Sequence, residues 1–209
     1  MIAGIITDLT AWLDKVSSHW WFLLIIVVIA FLDSVIPVVP SETCVIIGGV
    51  AASQGSQSLL IVIATAAFGA FLGDNTAFLL GVRASDRLHR RAERRPRFAN
   101  KMAWAHQQIT DRGGLLLITA RFIPGGRTAL TLTCGITRQR QAWFIRWVVV
   151  ATVIWASYAA LLGRIGGEAF KDDHTKAFML AFGLAIGTNV IIEITRHYLK
   201  KHRTAATAG

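Results

Sequence analysis

The stretch FLDSVIPVVPSETCV occupies residues 31–45. It follows a strongly apolar run, yet it carries two acids, Asp33 and Glu42, and two prolines, Pro37 and Pro40. A helix that crosses a bilayer avoids both. A charge at the helix centre costs about 2.5–3.5 kcal/mol on insertion scales, and proline removes a backbone donor and clashes with the preceding turn. Such a break is tolerated in a membrane only where the freed backbone is buried in protein or lines a wet cavity.

Composition places the chain in a membrane. Of 209 residues, 54% are hydrophobic and 16% charged, with a mean hydropathy of +0.51, against about 25% charged in soluble proteins. Apolar segments occupy 19–36, 59–82, 113–136, 142–163 and 177–194, and roughly 20 helical residues cross a bilayer. The net charge of +10 is localised. Arg83, Arg87, Arg90, Arg91, Arg94, Arg95, Arg97 and Lys101 face only Asp86 and Glu93 in one cluster, and Arg196, Lys200, Lys201 and Arg203 form a second. Flanking apolar segments, these clusters read as cytoplasmic. No aromatic platform accompanies them, which argues against nucleic acid as a partner. Cys44 and Cys134 lie in apolar segments without a metal-ligand spacing, and the histidines form no ligand pair, so no metal or other cofactor is expected.

Orientation follows from the charges. With residues 196–209 inside, 177–195 spans, and 142–163 spans in the opposite sense. Residues 113–137 then begin and end on the cytoplasmic side. Too short to cross twice, they are expected to dip in and return at FIPGGR (122–127), where Pro124 breaks the helix and Gly125 permits the reversal. By the same logic 20–57 forms a hairpin broken at Pro37 and Pro40, its arms about 22 and 16 Å long; full crossing by 20–36 is the alternative. A spanning segment at 58–82, a basic cytoplasmic loop at 83–112 and an amphipathic surface helix at 1–19 (Ile2, Ile5, Ile6, Leu9, Trp12, Leu13, Val16) complete the plan. The expected fold is a single all-α integral membrane domain: two opposed re-entrant helical hairpins plus about three spanning helices in an inverted repeat, with a cytoplasmic C-terminus. Inverted repeats of broken helices place binding sites at the midplane.

Five ionisable residues lie at depth: Asp33, Glu42, Asp74, Arg121 and Arg127. Arginine keeps its charge and grips phosphate bidentately, so Arg121 and Arg127 are the anion-binding candidates. Asp33 and Glu42 can titrate and are both candidates for proton coupling. Glu42, next to Ser41 at a helix start, also suits a capping role. Asp74 sits in GAFLGDNTAFLLG (69–81), where Gly69 and Gly73 suit close helix packing. It is a supporting residue, with Pro37, Pro40, Pro124 and Gly125.

The acid–Pro–Pro–acid break DSVIPVVPSE, the GD segment at 73–74 and above all ARFIPGGRT (120–128) resemble the DedA family, also called the VTT or SNARE-associated domain family, over residues 30–165. The resemblance implies opposed re-entrant hairpins and the movement of lipids across membranes. Bacterial members are linked to undecaprenyl phosphate or phosphatidylethanolamine and to the proton-motive force. It implies two embedded acids and two arginines as functional residues, which fall on Asp33, Glu42, Arg121 and Arg127. The expected partners are a lipid substrate, protons and the cytoplasmic membrane, with a second copy of the chain also admissible. A proton-coupled antiporter of ions or small molecules is the competing reading. An enzyme is disfavoured, because no Ser/His/Asp set is visible in the apolar segments.

Overall fold

The computed structural model describes residues 17, 19–36, 41–93, 96–123 and 125–169. All of the expected amphipathic helix at 1–19 except residues 17 and 19, the prolines Pro37, Pro40 and Pro124, the span at 177–195 and the tail at 196–209 lie outside them. The described residues form six α-helices: α1 Trp21–Val35, α2 Ser41–Ser53, α3 Leu59–Glu93, α4 Pro96–Thr119, α5 Gly126–Ile136 and α6 Gln141–Ala169. A 3-10 turn at Ala120–Phe122 links α4 to α5.

Two helices are long and apolar enough to cross a bilayer among the described residues: α3, of 35 residues, and α6, of 29. At 1.5 Å per residue they measure about 52 and 43 Å. The shorter helices α1 (15 residues), α2 (13) and α5 (11) reach only about 22, 20 and 16 Å.

The segment expected as a loop at 83–112 is helical. α3 continues through the arginines to Glu93, and α4 begins at Pro96. The apolar stripe ends near 82, but a helix ends only where its backbone is broken. Arginine is a good helix former, cations such as Arg90 and Arg91 suit the last turn, and proline suits the first position of the next helix. The first arm of the second helix pair therefore starts at 96 rather than 113, and α6 runs six residues beyond the expected end at 163.

Burial is inverted relative to a soluble protein, in which charged residues are almost never fully buried. Leu60, Phe68, Leu72, Leu79, Val150, Ile154 and Leu161 are exposed along α3 and α6, whereas Asp33, Asp74, Arg121 and Arg127 are buried. The interior contains two apolar clusters. One joins Phe22 and Ile26 of α1, Val45 and Val50 of α2, Val62 and Ala66 of α3 and Trp155 and Ala159 of α6. The other joins Phe78 of α3, Ile109 and Leu117 of α4, Cys134 of α5 and Phe144 and Val148 of α6. Phe78 and Phe144 stack there with ring centroids 4.4 Å apart.

The helices interlock across the two halves of the chain. α1 packs along α3, where Gly69 and Gly73 admit the backbone at Val27 and Phe31. The second arm of each short pair packs on the long helix of the other half: α2 on α6, and α5 on α3. These two seams are built alike. A Cβ on Gly49 would collide with the carbonyl of Ala160, and one on Gly163 with the carbonyl of Ile46. On the other seam, Gly135 meets the carbonyl of Phe78, and Gly81 that of Leu132. In all four cases the carbonyl belongs to the residue three positions before the partner glycine. Such close approach is how helices associate where lipid removes the hydrophobic drive.

Overpacking a well-packed site costs about 1–3 kcal/mol, and at this chain length each kcal/mol lowers Tm by roughly 2–4 °C. Gly163→Val should therefore lower the unfolding midpoint in detergent by several degrees. Leu161→Val, two residues away and exposed, should leave it nearly unchanged. Equal midpoints for the two variants would remove the seam from the account of stability.

Candidate functional site

The charged residues form a layer between the two apolar clusters. On α3, Asp74 falls between Ala70 of the first cluster and Phe78 of the second. Asp33 follows Ala30 and Glu42 precedes Val45, so both acids adjoin the first cluster; Arg121 follows Leu117 and Arg127 precedes Cys134, next to the second. The breaks between short helices thus bring opposite charges face to face.

Asp33 stands in the last turn of α1 and Arg127 in the first turn of α5. Each opposes the dipole of its own helix, since helix C-termini favour cations and N-termini favour anions. Their pairing offsets both conflicts: Arg127 Nη2 donates to Asp33 Oδ2 at 2.9 Å. Ser41 Oγ, at the start of α2, donates to the same oxygen at 2.6 Å and fastens the two arms across the 37–40 break. Thr128 Oγ1 donates to the carbonyl of Ser34 at 3.0 Å, one of the last carbonyls of α1, which the helix itself leaves unpaired. The end of α1 and the start of α5 are therefore joined twice. Gly125, with φ of 68°, makes the left-handed turn that starts α5, a conformation glycine adopts without steric cost.

Asp74 is the centre of the layer. Its Oδ2 accepts from Arg121 Nη1 at 2.5 Å, and its Oδ1 lies 3.7 Å from Arg127 Nε. Expected from the sequence only as a supporting residue, Asp74 is set against both arginines in the structure. Arg121 is held on its other side by Trp155, whose ring centroid is 5.5 Å from the guanidinium carbon. Asp74 Oδ1 and Arg121 Nε and Nη2 are buried without a hydrogen-bond partner among the described residues. Unsatisfied buried polar atoms cost about 1–3 kcal/mol each, which makes this layer the candidate site.

Glu42 stands apart. It is half-buried and in no salt bridge among the described residues, though within electrostatic reach of Asp33 and Arg127 and a hydrogen-bonding neighbour of Trp155. With every group ionised, three acids against two arginines leave the layer at a formal charge of −1, and Glu42 is the acid without an arginine of its own.

The structure brings together all five ionisable residues singled out by the sequence. It adds Ser34, Ser41, Thr128 and Trp155. Ser41 was legible only as the neighbour of Glu42 at a helix start. The signal for Trp155 was a tryptophan in mid-helix, away from the interface where tryptophan is enriched.

Removing one partner of a buried ion pair costs about 3–5 kcal/mol, because the other charge is left uncompensated. Asp74→Asn should therefore destabilise the folded protein severely. Asp86→Asn, which breaks an exposed pair with Arg138, should cost at most about 1 kcal/mol. Thermal unfolding of both in detergent tests this contrast, and a mild effect at Asp74 contradicts its central place.

The VTT domain model matches residues 36–165. Inner membrane protein YohD of Escherichia coli is 28% identical over 141 residues, covering 65% of this chain and 72% of that protein. Undecaprenyl phosphate transporter A of Staphylococcus aureus is 25% identical over 144 residues, covering 66% and 71%. Protein DedA of E. coli is 22% identical over 178 residues, covering 84% and 80%. No solved structure matches the chain. The family match spans both helix breaks, the Asp74 helix and the second seam, so the chain belongs to the VTT-domain, or DedA, family of membrane proteins.

Proposed function

We propose that this protein moves a lipid with an anionic phosphate headgroup across the cytoplasmic membrane, coupled to protons. The observation that carries the reading is the buried charged layer, with arginine donors left open inside an apolar exterior. A headgroup would meet Arg121 and Arg127, and its tails would stay among the exposed apolar residues. α1–α2 and the inner part of α4–α5 act as re-entrant hairpins that dip from opposite faces, in an inverted repeat, with α3 and α6 spanning and the arginine-rich ends of α3 and α4 in the cytoplasm. Undecaprenyl phosphate, named in the S. aureus relative, is the first lipid to test, and phosphatidylethanolamine the second.

The ion pairs suggest how protons enter. Arg127 is engaged by Asp33. A headgroup phosphate gains this arginine when Asp33 gives it up, and protonation is what weakens the carboxylate's grip. Proton and anion then bind together, and by linkage each raises the affinity for the other. Glu42, in no ion pair among the described residues, is the acid that exchanges protons with the outside, passing them towards Asp33.

Hydrogen bonds to charged groups contribute about 1.5–3 kcal/mol, roughly 10- to 100-fold in rate. In liposomes with undecaprenyl phosphate in one leaflet, Arg127→Ala should slow translocation by at least that factor. Glu42→Gln should retain exchange without a pH gradient and lose its acceleration by one. Normal transport by Arg127→Ala defeats the anion site. Translocation of ions but of neither lipid points to antiport instead.

A further inference from the structure

The two open nitrogens of Arg121 are not a random pair. Nε and Nη2 lie on one side of the guanidinium and form its side edge, a fork that matches two oxygens of a phosphate or carboxylate. The opposite nitrogen, Nη1, is the one that meets Asp74. The side chain is 2% exposed and the fork is unpartnered among the described residues. One hydrogen-bonded carboxylate fixes one corner of a planar group and leaves it free to swing.

Trp155 supplies the remaining constraint. It is 3% exposed, projects from α6, and sets its ring face against the guanidinium, 5.5 Å from centroid to Cζ. A cation over an aromatic face is attracted by the ring quadrupole, most strongly by tryptophan. This contact orients the guanidinium plane without using any N–H, whereas a second carboxylate in its place would consume the fork. Trp155 also neighbours Glu42.

We propose that Trp155 is a positioning residue: it holds Arg121 so that the Nε–Nη2 edge stays open as a preformed fork for the substrate oxyanion. This rests on the lipid-phosphate reading above. A purely structural tryptophan would affect stability and the amount of active protein, but not the affinity for substrate.

The test uses the full chain in liposomes, with a short-chain fluorescent polyprenyl phosphate as probe, and reads the half-saturating lipid fraction separately from the maximal rate per folded protein. Trp155→Leu should raise the half-saturating fraction about 5- to 20-fold, and Trp155→Phe should recover most of that loss. Site-specific replacement of Trp155 by tryptophans carrying one to four fluorines keeps the shape and drains the ring quadrupole. Half-saturation should rise stepwise along that series. A flat fluorine series overturns the proposal, as does an unchanged half-saturating fraction in Trp155→Leu. Arg121→Ala separates the two levels: if it also transports the probe with normal half-saturation, the anion-site reading itself fails. If it loses the probe while the tryptophan series stays flat, only the positioning role fails.

Discussion

Asp74 is set against two arginines at once, and the rest of the architecture is arranged so that it can be. A lone carboxylate or guanidinium at mid-membrane is expensive. Placed between Arg121 and Arg127, Asp74 offsets charge on both, while Asp33 takes up the remaining demand of Arg127. The four groups form a neutral set that an apolar surround can accept. Buried ion pairs are weak evidence for stability, since desolvation consumes much of the attraction. The open donors and the extra acid make this layer a candidate site, held by the fold at some cost in stability.

The support comes from the exchange of short helices between the halves. α2 rests on α6 and α5 on α3, each through one glycine per helix. The two helix starts that carry Glu42 and Arg127 are therefore fixed to long helices that belong to opposite ends of the sequence. Thr128 and Ser41 then join the ends of α1, α2 and α5. An apolar cluster packs on either side of the charged layer.

The chain's membrane character and the five ionisable residues at depth were legible in the sequence, because a charge or proline inside an apolar run has few admissible explanations. The same reasoning misjudged 83–112. It treated the end of the apolar run as the end of the helix, and helix continuation is a backbone property to which arginine is no obstacle. Trp155 and Ser41 were passed over for a related cause: each is an ordinary residue in its own segment and acquires a role only from neighbours distant in sequence.

By itself the sequence determined the class of protein, the positions of the helix breaks and which charges had to be reconciled within lipid, since those follow from composition and local order. Tertiary structure decided the partners. Asp33 joined Arg127, 94 residues away, Arg121 joined Asp74, and Glu42 was left without an arginine among the described residues. Two acids flanking one break look equivalent along the chain. They differ because α5 enters beside the end of α1, and a guanidinium has only so many edges to share. FLDSVIPVVPSETCV thus contains one acid held in an ion pair and one in no salt bridge among the described residues.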